Sequence, residues 1–238
     1  MLVMQWEGVM DEPEIERILE ECERALAAGG RVDLAELGFW RAVAAVKRRP
    51  ELIERHASRI AAIDRVAFLR GVPFAVPAAA GVALLVLGTA AGAALIVVSA
   101  TLRGDAAGAV LLLGIGALLG TTHGLAHLVA GALAGIRFTH AFSVPPLRPQ
   151  PGLKTDYATY LRASPRARAW MHASGAIVTK VVPFLALPLV GAVGAPAWTA
   201  VVLVAIGVLA LVSDAVYSIR SSDWKKFRRE MRLARARG

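Results

Sequence analysis

The chain is short of cysteine, of acid and of histidine, and each shortage removes a class of protein. Cys22 is the only cysteine among 238 residues, which rules out an internal disulfide and any thiolate-rich metal site. No glutamate stands between Glu54 and Glu230, so the apolar part of the chain carries no glutamate to serve as a buried acid or base. There are five histidines, too few for a histidine-rich diiron desaturase. The first residues show no basic segment followed by an apolar one, and no cleaved signal peptide is expected.

What is abundant is apolar surface. Hydrophobic residues make up 56% of the chain and the mean hydropathy is +0.56, too apolar for a soluble domain of this size. The net charge of +9 would suit nucleic acid, but its distribution does not. Residues 1–70 hold 13 acids against 11 Lys/Arg, and the rest of the chain holds five acids against 16. The excess therefore lies in the loops and tail of an apolar region, the pattern of positive loops facing the cytosol, and no nucleic-acid partner is expected.

These patterns predict an all-α fold: a polytopic bundle of four transmembrane helices with a small N-terminal helical cytosolic domain. The domain covers 1–70, with helices near 12–28, 34–48 and 51–69 started by Asp11 and Asp33 as caps. His56, between Arg55 and Arg59, reads as a solvated surface residue. The membrane part covers 71–221, with spans near 74–101 and 106–135, a third running to about 193 and a fourth from 197 to 219. A cytosolic loop, 136–170, is rich in proline and reads as extended or looped, and Ser164-Pro165 reads as the cap that starts the third span. Residues 222–238 form a basic cytosolic tail. Four spans place both termini on the cytosolic side, as the basic loop and tail require.

The helix 106–135 contains His123 and His127. At 3.6 residues per turn Leu111, Ile115, Leu118, Thr122, Leu125, Val129 and Leu133 share a face that suits lipid. Gly116, Gly120, His123, His127, Gly131 and Ala134 share one that suits close helix packing. Two histidines at i and i+4 direct their imidazoles at one spot, the spacing by which a helix offers two nitrogens to a metal. The alternative is a neutral pair of interhelical hydrogen-bonding groups. Asp214, on the face Gly207, Ala210, Asp214, Tyr217 and Ser221, is the sole acid expected within the bilayer and needs a partner, either a metal or Lys180. His172 with Gly175, Ala176 and Thr179 forms a small and polar stripe on the third span.

Together His123-x-x-x-His127, the stretch Ala173-Ser174-Gly175-Ala176-Ile177-Val178-Thr179 and Asp214 resemble the core of the site-2 protease family of intramembrane zinc metalloproteases. The spacing of Ser213-Asp214 and Ser222-Asp223-Trp224 is similar to that of a less characterised group of membrane zincins. The resemblance spans roughly residues 106–225. It implies a Zn site made by His123, His127 and Asp214, with His172, Thr179, Lys180 and Tyr217 in support. It also marks a departure, because the family's motif is H-E-x-x-H and its glutamate is the general base. Here that position is Gly124.

The expected function is thus an intramembrane metal-binding protein that lacks the catalytic glutamate and serves as a binding or regulatory module, with the lipid bilayer and transmembrane segments of other proteins as partners. An enzymatic alternative is a zinc-dependent hydrolase, protease or lipid amidase, that uses a different base. A small transporter built on the Lys180/Asp214 pair is the third reading.

Overall fold

The computed structural model describes residues 10–144, 148–216 and 222–237. The chain is mostly helical and divides into two compact units, one made of the residues to Pro73 with Asp156–Arg162, the other of Phe74–Thr155 with Ala163–Gly238.

The first unit is built by three helices in sequence order, α1 (Glu12–Ala27), α2 (Phe39–Val46) and α3 (Pro50–Gly71), joined by a later short helix, α6 (Tyr157–Arg162). Asp11 caps α1 by accepting from the Glu14 amide at 2.9 Å, and Pro50 opens α3 where its missing donor costs nothing. α2 begins five residues later than its apolar pattern suggests. Gly38, at φ +79°, interrupts the helix, and Asp33 accepts from the Ala35 amide at 2.8 Å to close a turn instead. Ile15, Ile18, Leu19, Phe39, Val46 and Ile60 form the centre of the unit. His56 is a correction to the sequence reading: it is 4% exposed, with Nε2 3.5 Å from Glu12 Oε1. α6 joins through its aromatic rings, Tyr157 standing 5.8 Å from Trp40 and Tyr160 lying under the Lys47 ammonium at 4.6 Å.

The second unit contains the three described helices that are long and apolar enough to cross a membrane. They are α4 (Ala78–Ser99), α5 (Gly104–Leu133), and the stretch Pro165–Ala192 made of α7 (Pro165–Leu185) and α8 (Leu187–Ala192). α9 (Ala197–Val216) follows as a shorter apolar helix, and α10 (Asp223–Arg237) closes the chain. Leu84, Leu87, Val97, Leu113 and Leu133 lie bare on the surface of α4 and α5, which lipid tolerates and water does not. The three long helices mark the chain as a membrane protein.

α5 is central. Gly92 of α4 and Gly114 of α5 meet backbone to backbone, since a Cβ on either would stand 2.8–2.9 Å from the other's carbonyl oxygen, the close approach that small residues permit in lipid. Thr89 and Thr121 share a 2.8 Å hydrogen bond across the same seam. Leu111 and Ile115, expected to face lipid, are instead buried against Ala186, Val190 and Leu203. Gly116 and Gly120, expected to be packed, face open space. The reason is that α8 and α9 cover the first half of α5 on its leucine side, anchored where Trp198 Nε1 donates to Asp105 Oδ1 at 2.8 Å. The outer positions Val129 and Leu133 of the second half do stay exposed.

A small sheet also corrects the all-α expectation. Strands β1 (Phe74–Pro77), β2 (Phe138–Val144) and β3 (Arg148–Thr155) pair antiparallel in the order β1-β2-β3, with Val76 opposite Ala141 and Ala141 opposite Leu153. Of the prolines that suggested a loop, Pro149 and Pro151 fall on β3, an edge strand, where a missing amide donor breaks no internal ladder, and Pro145 and Pro146 lie outside the described residues. The first span accordingly starts after Pro77 rather than at residue 74.

Candidate metal centre

α5 carries His123 and His127 on its inner face, and α7 runs antiparallel to it across that face. The approach depends on Gly175: a Cβ there would land on the His127 ring, 2.7 Å from Cε1. With no side chain in the way, the ring packs directly against α7.

The hydrogen bonds made by the outer ring nitrogens determine what the inner ones can do. His127 Nδ1 lies 2.6 Å from the Met171 carbonyl oxygen, which only accepts, so Nδ1 carries the proton. His123 Nδ1 lies 2.9 Å from Thr179 Oγ1, and that hydroxyl already donates its single proton to the Gly175 carbonyl at 3.0 Å. When it does so, it accepts from His123 Nδ1. In the neutral rings both Nε2 atoms are then bare lone pairs. They point at each other at 3.2 Å and at one carboxylate oxygen, Asp223 Oδ2, at 3.2 Å from His127 and 3.6 Å from His123.

Three acceptor atoms converge here without a proton to share among them unless a ring is charged. Lone pairs at that spacing repel, so the geometry is satisfied either by a charged imidazole that donates to Asp223 Oδ2 or by a cation held among the three atoms. Donors bound tetrahedrally to zinc at about 2.0–2.1 Å stand roughly 3.3–3.4 Å apart, and the three edges observed bracket that value. A carbonyl and a hydroxyl holding the far nitrogens are the partners that orient imidazole ligands in metal sites. Among the described residues His123, His127 and Asp223 thus form a group that could hold a metal ion, with side chains 15–22% exposed. Three protein ligands leave one tetrahedral position open.

Asp223 comes from α10. Burial pushes its carboxyl up, but the Lys226 ammonium and the hydrogen bonds that His123 and His127 donate when their rings are charged outweigh burial and hold it well below the usual carboxylate range. Lys226 Nζ donates to the other oxygen, Oδ1, at 2.9 Å, which leaves Oδ2 for the histidines. α10 is pinned to α7 by Arg168 and Glu230, both 0% exposed, with Nε donating to Oε2 at 2.7 Å. Arg168 also donates to the Ala163 carbonyl at 2.8 Å. Beside that pair Trp170 stands edge-on to Phe227 at 5.6 Å, and Phe227 stacks on Trp224 at 5.0 Å.

The other residues singled out from the sequence fall as follows. Asp214 is on α9, but its side chain lies outside the described residues, as does the whole of Tyr217. Thr179 supports His123 directly. His172 is half-buried on α7, within electrostatic reach of Lys226, Asp223 and His127. Lys180 Nζ donates to the Ala176 carbonyl of its own helix at 3.0 Å. Gly124 is buried and faces α4, where a Cβ would stand 3.1 Å from Leu85 Cδ1. Asp223 stands in the basic stretch as part of the Ser222-Asp223-Trp224 segment, but its separation from His127, 96 residues, hid the contact.

Comparisons of the chain with family models, with curated proteins and with solved structures find no match. The class that fold and site define is a membrane protein carrying a His–His–Asp cluster at one end of its helix bundle.

Proposed function

We propose that this protein is a multi-pass membrane metalloprotein that binds one zinc ion through His123, His127 and Asp223. In this reading it is a relative of the site-2 proteases that lacks their general base. α4, α5, α7–α8 and α9 are its four spans, the first unit is a cytosolic domain, and both termini are cytosolic. The observation that carries the reading is the convergence of His123 Nε2, His127 Nε2 and Asp223 Oδ2, with separations of 3.2, 3.2 and 3.6 Å, while the Met171 carbonyl and the Thr179 hydroxyl hold the far ring nitrogens.

With Gly124 in place of glutamate, no carboxylate stands beside the two histidines on their helix to take a proton from a metal-bound water. Loss of a positioned acid or base typically removes about 10²–10⁴ in rate. Binding or regulation of other transmembrane segments is the activity that survives such a loss. A second reading, hydrolysis, is supported by the fourth position that three protein ligands would leave for a water.

The test is elemental analysis of the detergent-purified full-length protein. About one zinc per chain is expected, lost in His123→Ala/His127→Ala and in Asp223→Ala. The Asp214→Ala variant decides whether that residue fills the fourth position. Absence of metal from the intact protein after zinc loading would overturn the reading. If zinc is present, Gly124→Glu tests restored peptide hydrolysis, and zinc-dependent turnover by the native chain, abolished in Asp223→Ala, would favour the second reading.

A further inference from the structure

α10 contains seven Lys/Arg and two acids, and the structure separates them. Both acids turn inward: Glu230 onto Arg168, and Asp223 onto the histidines and Lys226. Lys225, Arg228, Arg229, Arg232 and Arg235 are all exposed, and at 3.6 residues per turn they fall within an arc of about 120°. No acid interrupts that arc.

Its position is given by the helix it packs on. α10 runs antiparallel to the first turns of α7, Glu230 meeting Arg168 and Phe227 meeting Trp170. Trp170 is 51% exposed and heads a stripe of α7 in which Ile177, Val181 and Leu185 are also exposed. An exposed tryptophan at the end of an apolar stripe is the residue that sits at headgroup depth. The cationic arc of α10 therefore begins where the lipid-facing surface of α7 ends, and the charge that meets it there is that of phospholipid headgroups.

We propose that the outer face of α10, through Lys225, Arg228 and Arg229, binds the headgroups of anionic phospholipids, and that this contact steadies the helix that delivers Asp223 to the histidines. The first part stands on the charge pattern alone; the second rests on the metal-site reading above. Linkage requires the effect to be reciprocal, so metal at the cluster strengthens headgroup binding by the same factor that the lipid strengthens metal binding.

The full-length protein, exchanged into detergent containing equal amounts of phosphatidylglycerol and phosphatidylcholine, is examined by native mass spectrometry. Phosphatidylglycerol adducts are expected to exceed phosphatidylcholine adducts by about fivefold or more, the worth of a single basic residue near an anionic surface. In Lys225→Gln/Arg228→Gln/Arg229→Gln the ratio is expected to fall towards one, while Arg228→Lys/Arg229→Lys retains it. These side chains are exposed, so the buried Arg168–Glu230 contact and the fold are undisturbed, and the tryptophan fluorescence spectrum checks this. A ratio near one in the native protein, or a ratio unchanged in the triple glutamine variant, overturns the proposal, as does displacement of the lipid by inorganic phosphate at millimolar concentration. Adding zinc to the native protein is expected to raise the ratio, and an unchanged ratio overturns the coupling. Failure of zinc to bind at all is read separately from the metal content, and leaves the lipid result standing.

Discussion

Gly175 shows how one residue sets the geometry of the cluster. In a helix alanine is favoured over glycine by about 1 kcal/mol, so Gly175→Ala would ordinarily be harmless or stabilising. Here the new Cβ meets the His127 imidazole, and the ring must leave its hydrogen bond to the Met171 carbonyl. We expect Gly175→Ala to fold and to weaken zinc affinity about 10–100-fold, the usual cost of disturbing the groups that orient a ligand. Titration with cobalt, whose visible spectrum reports tetrahedral coordination, measures this, and an affinity equal to that of the native protein would sink the orienting role. Gly175 was legible in the sequence only as part of a small-residue stripe. What it makes room for depended on the depth at which α7 crosses α5.

Among the elements, α10 is the one whose role could not be read from its own pattern. It looks like a basic tail, yet the pair that fastens it is the most deeply buried charge contact among the described residues, with both partners at 0% exposure. Removing one member of such a pair leaves an uncompensated buried charge and typically costs about 3–5 kcal/mol, whereas replacing both by apolar residues is often neutral or better. Arg168→Met and Glu230→Met are each expected to lower the thermal midpoint of the solubilised protein and to weaken zinc binding. The double variant is expected to recover most of both. Additive losses in the double variant would show that the two residues act independently of one another. The neighbouring elements were easier: the caps of α1 and α7, at Asp11 and Ser164, work as their spacing suggests. The three strands were missed because proline argues against sheet only for central strands, and these prolines occupy edges.

For the molecule as a whole, the number of spans determines on which side the cluster opens. α9, with 20 residues, is about 30 Å long, just the thickness of the hydrocarbon core. If it crosses, the turn after α4 and the face of α10 lie on opposite sides of the membrane. Cys22 is buried and gives no background, so single exposed cysteines at Thr101→Cys and Arg232→Cys can be labelled in intact cells with an impermeant maleimide. Thr101→Cys is expected to react directly and Arg232→Cys only after permeabilisation. Equal reactivity at both before permeabilisation would reject the four-span arrangement.

The apolar, membrane character and the histidine pair with its i, i+4 spacing were determined by the sequence alone, because each follows from composition or from neighbours on one helix. Three matters were decided by tertiary structure: the burial of Leu111 and Ile115, the strand pairing across residues 74–155, and the arrival of Asp223 from a helix docked by Arg168 and Glu230. The physical reason is the same for all three. A helix pattern reports that a face must be covered, but not by what. Which partner covers it depends on how distant segments pack, and a single hydrophobic period does not encode that packing.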